Sequence, residues 1–443
     1  MTTEAKPPTT NLGEFVSWFR LVTPYINTFR NKTFVIAFGG KAIAGPLAKT
    51  LAYDVNLLAS LGIRLILVHG ARPQIEEELR EKGLASKYHR GYRITDAATL
   101  DCVLDAVGSV YLEIEALLSQ GLPNTPMANS QIRVIGGNFI TARPLGVIDG
   151  IDLQYSGTVR KVDAEGLKAQ LALGNIVLLS CQGSSPTGEI FNLQMEEVAE
   201  AVAIAVKADK LVFLTDSQGI TDAEGRLLDE LTADAAARLT DADWLSSDLK
   251  RYLPCAVRAS RLGVGRVHLI GYEQDGALLQ ELFTREGIGT VISRESLERI
   301  REARPDDIGA LIALIEPLEE DGTLVHRPRE VLEREIEKFS IIEHDGMVVG
   351  CAALYEYGEG VAELACLAVH PAHRKWGYGE QLMERIQARA RAVGVKRLFV
   401  LTTRTVHWFI ERGFKLESVD ALPTAKRQMY NLQRRSKVLV KSL

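Results

Sequence analysis

Between Lys32 and Ile292, short aliphatic and β-branched runs alternate with stretches of helical spacing, and this alternation constrains the fold more than any other feature of the chain. The expected strands are Thr33–Phe38, Arg64–Val68, Ile176–Leu179, Leu211–Leu214 and Arg266–Ile270. Helical spacing falls between them at Leu47–Ser60, Glu196–Lys207 and Ala256–Leu262. Strand–helix alternation predicts a mostly parallel sheet, and runs apolar on both sides suit strands covered on both faces. The fold class expected is therefore a three-layer α/β/α domain.

Past residue 295 the grammar changes. A charged stretch, Ser293–Ala303, reads as a helical linker. Helices follow at about Asp306–Pro317 and Arg329–Lys338. Phe339–His344 and Met347–Leu354 flank Asp345-Gly346, a strong short hairpin signal. Then come a strand Val361–Val369, a glycine turn, a helix from Glu380 to Val393 and a strand Lys396–Thr403. The chain thus divides into a tail (1–19), a first domain (20–295) and a smaller mixed α+β domain (296–443). Its 443 residues allow two or three domains at about 150 residues each.

Composition bounds the class. Lys+Arg 52 against Asp+Glu 57 gives a net charge of -5, which argues against a nucleic-acid or membrane-surface binder. No apolar run approaches the roughly 20 residues needed to span a bilayer, and the polar start offers no secretory signal. Cys102, Cys181, Cys255, Cys351 and Cys366 are scattered and never in C-x-x-C spacing. Free thiols in a reducing cytoplasm, with no metal, are the expectation.

The segment 363–379 carries the most chemistry. A strand runs into R-x-x-G-x-G (Arg374, Gly377, Gly379) and then into an amphipathic helix. Glycines admit an anion close to the backbone, and the helix start offers N–H groups and positive dipole, so the loop suits a pyrophosphate. On glycine spacing alone, a plain turn leading into a helix fits equally well. Basic residues cluster at His326–Glu330 and Gln433–Lys437. Arginine grips carboxylates bidentately, so two such clusters suit an acceptor with two carboxylates, and a solvated face is the plain alternative.

With Trp408-Phe-Ile-Glu-Arg-Gly-Phe414 downstream and Ile300–Ile308 upstream, residues 296–443 resemble the Gcn5-related N-acetyltransferase family. That resemblance implies acetyl-CoA as co-substrate. Arg374, Gly377, Tyr378 and Gly379 would hold its pyrophosphate. Leu367, Ala368 and Val369, on a strand splayed from its neighbour, would pair with the pantetheine arm. Glu363 would be the base that deprotonates the acceptor amine. Phe409 would also line the co-substrate site, standing where the family often has a tyrosine that protonates the departing thiolate. Water, Thr402 or Thr403 is then the proton source.

Residues 20–295 resemble the amino-acid kinase family. The matching segments are Phe34–Gly40, Val68–Pro73, Lys210–Asp216 and Leu278–Thr290. Phosphoryl transfer needs lysines to neutralise developing charge, yet Ala37 and Tyr252 occupy the lysine positions. A domain silent toward ATP is the expectation. Arginine-sensitive members of that family carry an extra N-terminal helix with a tyrosine, here Tyr25, and use residues matching Lys210, Glu281 and Gly287. The resemblance of the whole chain implies acetyl transfer to L-glutamate, with Arg327, Arg434 and Ser436 holding the acceptor. It also implies L-arginine as feedback effector and a homo-oligomer, hexameric in the family. A bifunctional acetyltransferase–kinase and a non-enzymatic arginine sensor are the alternatives. The missing lysines oppose the first, and the R-x-x-G-x-G loop the second.

Overall fold

The computed structural model describes residues 12–443 except 285, 286, 297, 345, 375, 432 and 433. The chain forms two compact units, Met1–Glu295 and Ser296–Leu443.

In the first unit an eight-stranded sheet has the order Glu230–Thr232, Thr290–Ser293, Arg266–Gly271, Lys210–Thr215, Thr33–Phe38, Arg64–His69, Ile176–Ser180, Val134–Ile135. All neighbours are parallel except Arg266–Gly271 with Thr290–Ser293. The central strands are buried along nearly their whole length, as double-sided cover demands. Helices Ala48–Ser60 and Ala97–Leu118 pack with one another, as do Met195–Val206 and Leu249–Arg261, making the two helical layers. A second, four-stranded sheet (Ile190–Asn192, Gln182–Ser184, Ile140–Pro144, Gly157–Val162) was not expected from the sequence. Its strands are three to six residues long and interrupt their apolar residues with Gly, Pro, Arg, Lys and Gln, so no apolar run marks them. An 18-residue helix, Leu12–Phe29, opens the unit.

The second unit is a seven-stranded sheet: Glu298–Glu302, Phe339–His344, Met347–Glu356, Val361–Val369, Arg397–Thr402, Lys437–Ser442, Lys415–Glu417. The supposed helical linker is thus corrected. Glu298–Glu302 pairs antiparallel with Phe339–His344, Ile300 opposite Ile342. The charges that suggested a helix sit on the edge strand, where Arg301 ion-pairs with Asp307 and Glu343. Alternate residues of the inner strands serve opposite faces: Phe339, Ile341, Cys351 and Ala353 pack under helix Ile308–Glu320, whereas Ile342, Ala352 and Leu354 pack under helix Tyr378–Ala392. All five cysteines are buried free thiols. Among the described residues, no helix is long and apolar enough to cross a membrane.

Candidate functional site

Val361–Val369 and Arg397–Thr402 run parallel but pair only at Val361, Ala362 and Glu363, opposite Arg397, Leu398 and Phe399. Beyond Glu363 they part, and residues 364–369 no longer pair with 400–402. Cys366 lies in the left-handed region (φ 53°) where the register with Met347–Glu356 shifts. A bulge of this kind bends a strand, and the opened edge offers backbone groups to an extended ligand.

At the far end of this strand, Gly377 (φ 77°) caps helix Tyr378–Ala392 without any side-chain cap. The first-turn N–H groups and the dipole therefore suit an anion. Arg374 is exposed beside them. A Cβ on Gly379 would come within 3.3 Å of Trp408 Cζ2, so that position stays small to seat the indole. Leu367 and Val369 are half-buried, and Ala368 is buried. Splay, bulge and helix start together fit a pantetheine–pyrophosphate chain.

Two residues assigned to the co-substrate turn inward. The Tyr378 side chain is fully buried, its hydroxyl 3.1 Å from Nδ1 of His344, so only its main chain can serve the loop. Spacing explains this, because Tyr378, Leu382 and Ile386 form the buried stripe of the helix. Phe409 likewise packs edge-on between Trp408 and Phe414 in the core. Both rings are buried. Thr402 Oγ1 is 2.8 Å from Thr405 Oγ1 and accepts the N–H groups of Arg404 and Thr405, whereas Thr403 is exposed.

Glu363 is 5% exposed, not the solvated strand glutamate its sequence context allows. Its Oε2 forms an ion pair with Lys426 Nζ at 2.7 Å and accepts from the Tyr357 hydroxyl at 3.1 Å. Burial, reinforced by Glu363, pushes the Tyr357 phenol up. Arg327 lies near Glu363, and Arg434 near Arg327. Burial disfavours the Arg327 charge, but Cys366, Tyr355 and Glu363 beside it outweigh that and raise its pKa. Arg434 is lowered by burial and then by the Arg327 charge. Arg434 Nη2 donates to the carbonyls of Gly322 and Thr323, and its buried Nε has no partner among the described residues. A cation held near a second cation with an orphaned donor is a site for an anion. Ser436 is buried nearby in sequence, its carbonyl accepting from Tyr430. Lys426 and Tyr357 escaped sequence reasoning because nothing local marks them.

In the first unit, Ala37 and Tyr252, which the family resemblance sets at lysine positions, lie in apolar packing. Ala37 is fully buried in its strand, and the Tyr252 ring packs on Phe213 at 5.1 Å. A cavity of about 420 Å³ persists at the carboxyl ends of the central strands, between the Gly39-Gly40 and Gly70-Ala71 turns. Its Lys41 is bound to Asp216, and its Arg251 to Glu196 and Asp248.

The four effector candidates fall in one region, with His268 added. Lys210 Nζ is 3.0 Å from His268 Nε2, and His268 Nδ1 is 2.6 Å from Glu281 Oε1. Glu281 Oε2 accepts the N–H groups of Ile288 and Gly289. Gly287 (φ 59°) must be glycine here, since a Cβ would meet Glu281 Oε2 at 2.7 Å. Tyr25 stacks at an angle on Phe29, whose ring lies under Lys210 Nζ at 5.1 Å. Burial lowers Lys210 to about 7 and His268 to about 4. Burial raises Glu281, but the His268 hydrogen bond and the two backbone donors outweigh it and hold the carboxyl at about 2.

Comparison with known proteins follows the same division. Residues 32–271 match the amino acid kinase family and residues 283–414 the acetyltransferase (GNAT) family. Fold and site thus define an N-acetyltransferase joined to an amino acid kinase fold. The chain is 52% identical over 438 residues to an amino-acid acetyltransferase of Ralstonia nicotianae, covering 99% of this chain and 97% of that protein. The crystal structure of N-acetylglutamate synthase from Neisseria gonorrhoeae with coenzyme A and L-arginine is 43% identical, covers 97% of this chain and 99% of that one, and superposes with a TM-score of 0.88. The same enzyme with coenzyme A and N-acetyl-glutamate is 44% identical over the same shares, with a TM-score of 0.62. The chain belongs to the amino-acid acetyltransferase family.

Proposed function

We propose that this protein is an N-acetylglutamate synthase, moving acetyl from acetyl-CoA to the α-amine of L-glutamate as the first step of arginine biosynthesis. One observation carries the reading: a buried carboxylate, Glu363, lies at the parting of two strands, with Arg327 near it and Arg434 near Arg327. Glu363 takes a proton from the acceptor ammonium, because a protonated amine has no lone pair to attack with. The new N–C bond forms as the C–S bond breaks, its electron pair leaving on the thiolate. The attacking nitrogen sheds its second proton to solvent and solvent returns one to the sulfur, since Phe409 has no hydroxyl and Thr402 is engaged. Arg327, Arg434 and Ser436 hold the acceptor's carboxylates. The opened edge at residues 367–369 receives the pantetheine arm, and Arg374, Gly377, the Tyr378 main chain and Gly379 receive the pyrophosphate.

The first unit serves regulation. Tyr25, Lys210, Glu281 and Gly287, with His268, form the pocket for inhibitory L-arginine. The packing at Ala37 and Tyr252 supports silence toward ATP. The exposed Phe15, Val16, Trp18, Phe19 and Leu21 of helix Leu12–Phe29 form a surface for self-association, in keeping with a homo-oligomeric, hexameric enzyme of the cytoplasm. A thiol-release assay with acetyl-CoA and a panel of amino acids tests the reaction. CoA release that depends on glutamate is expected, and its absence would overturn the assignment.

A further inference from the structure

We propose that Lys426 is a positioning residue for acetyl transfer: by occupying one oxygen of Glu363 it aims the other at the acceptor and keeps the carboxylate off Arg327. The inference rests on the reading of Glu363 as the base. Both donors to Glu363, the Lys426 ammonium at 2.7 Å and the Tyr357 hydroxyl at 3.1 Å, reach the same atom, Oε2. Oε1 accepts no hydrogen bond among the described residues. A carboxylate pinned through one oxygen has its plane set, and the other oxygen is left for the proton it must take.

Both anchors are themselves held. Lys426 sits on the short helix Thr424–Gln428, whose first turn closes by Lys426 N–H to the Pro423 carbonyl at 2.9 Å. The next residue, Arg427, ties that turn to the carbonyls of Asp420 and Leu422. The Tyr357 ring packs against Phe399, the residue opposite Glu363 in the last paired position of the two strands. Side chains locked in this way hold a reacting group to the tolerance catalysis needs.

The second half of the argument is electrostatic. A buried carboxylate without a partner is costly and seeks the nearest cation. Arg327 is close enough to feel the Glu363 charge. If Lys426 lost its charge, Glu363 would turn to Arg327 and take away a group that the acceptor's carboxylate requires. Lys426 thus partitions two charges that would otherwise neutralise each other. Its effect on both turnover and glutamate affinity passes through the Glu363 carboxylate.

A double-mutant cycle on the full-length protein tests this. In an otherwise unaltered chain, Lys426→Met is expected to lower kcat and raise the KM for glutamate, cutting kcat/KM by about 30-fold, with acetyl-CoA affinity unchanged. Lys426→Arg should recover most of the loss. In the Glu363→Gln background, where no anion remains to capture Arg327, Lys426→Met should change kcat/KM by less than about 2-fold. An equal loss in both backgrounds would overturn the proposal. So would a rise in the KM for glutamate when Lys426→Met is added to Glu363→Gln, because Lys426 would then bind the acceptor directly. Should Lys426→Met fail to fold, Lys426→Gln, which keeps a hydrogen-bond donor, enters the same cycle. If Glu363→Gln alone retains full turnover, the base assignment fails, an outcome separate from the loss of coupling.

Discussion

Lys210 Nζ lies 3.0 Å from His268 Nε2, and both groups are buried. Two cations do not share so short a contact in a dry interior. With its pKa lowered to about 4, His268 is neutral at pH 7. Nε2 then accepts from Lys210, and Nδ1–H donates to Glu281, fixing one tautomer.

Within this chain of contacts, His268 and Glu281 favour the folded state less as pH falls. The unfolded His268 titrates near 6.5 and the folded one near 4, so between these values the unfolded state binds more protons, and stability falls as pH falls. Glu281, at about 2 folded against 4.5 unfolded, acts in the same direction below pH 4.5. Each proton contributes at most about 1.4 kcal/mol per pH unit. Asp54, raised to about 7 by burial, acts the other way between pH 7 and 4, so the His268 contribution is read as a difference: the melting temperature of His268→Gln should fall less, relative to the parent, between pH 6.5 and 4. An unchanged curve would remove His268 from the account.

Arginine should act through the same residues. A ligand shifts an equilibrium only by its unequal affinity for the two states. Tyr25→Ala and Glu281→Ala are expected to raise the arginine concentration for half-inhibition by about 10-fold or more, the scale of one lost charge-assisted contact. Rates with and without arginine in each variant decide the matter. If both variants stay fully sensitive, the effector binds elsewhere.

Gly287→Ala combines a left-handed backbone with a Cβ 2.7 Å from Glu281 Oε2. The substitution should cost about 1–3 kcal/mol and blunt arginine inhibition along with it. Thermal denaturation and inhibition curves, run on the same preparation, check both.

Arg434→Ala and Arg327→Ala should raise the KM for glutamate far more than they alter acetyl-CoA binding. A lost charged hydrogen bond of about 1.5–3 kcal/mol predicts roughly a 10- to 150-fold fall in kcat/KM. Arg434→Lys should recover little, since a point charge does not replace a planar fork. Equal kcat/KM for glutamate and glutamine in the parent protein would speak against a second carboxylate site.

Glu363→Gln should slow turnover by about 100-fold or more while acetyl-CoA still binds, the scale of a general base. Single-turnover measurements at neutral pH separate the two effects.

Much of this protein was legible along the chain. The β-branched runs at Thr33–Phe38 and Arg266–Ile270 announced buried parallel strands, and R-x-x-G-x-G announced the turn that ends in Gly377, because periodicity and glycine geometry are local properties. Ala37 and Tyr252 told of lost lysines for the same reason. The inward turn of Tyr378 was also there to be read, in its spacing from Leu382 and Ile386.

What folding alone decided was which distant groups share a space. The charged stretch at 298–302 looked helical until Phe339–His344 offered it an edge to pair with. Lys426 met Glu363, far from it in sequence, only because a short helix returns over the parted strands. His268 joined Lys210 and Glu281 through the register of parallel strands. Residue types and their periods are written in the sequence, whereas register and chain return depend on the balance of the whole core. The family of this protein was therefore legible in its motifs, and the partners of Glu363 and Glu281 were set by packing.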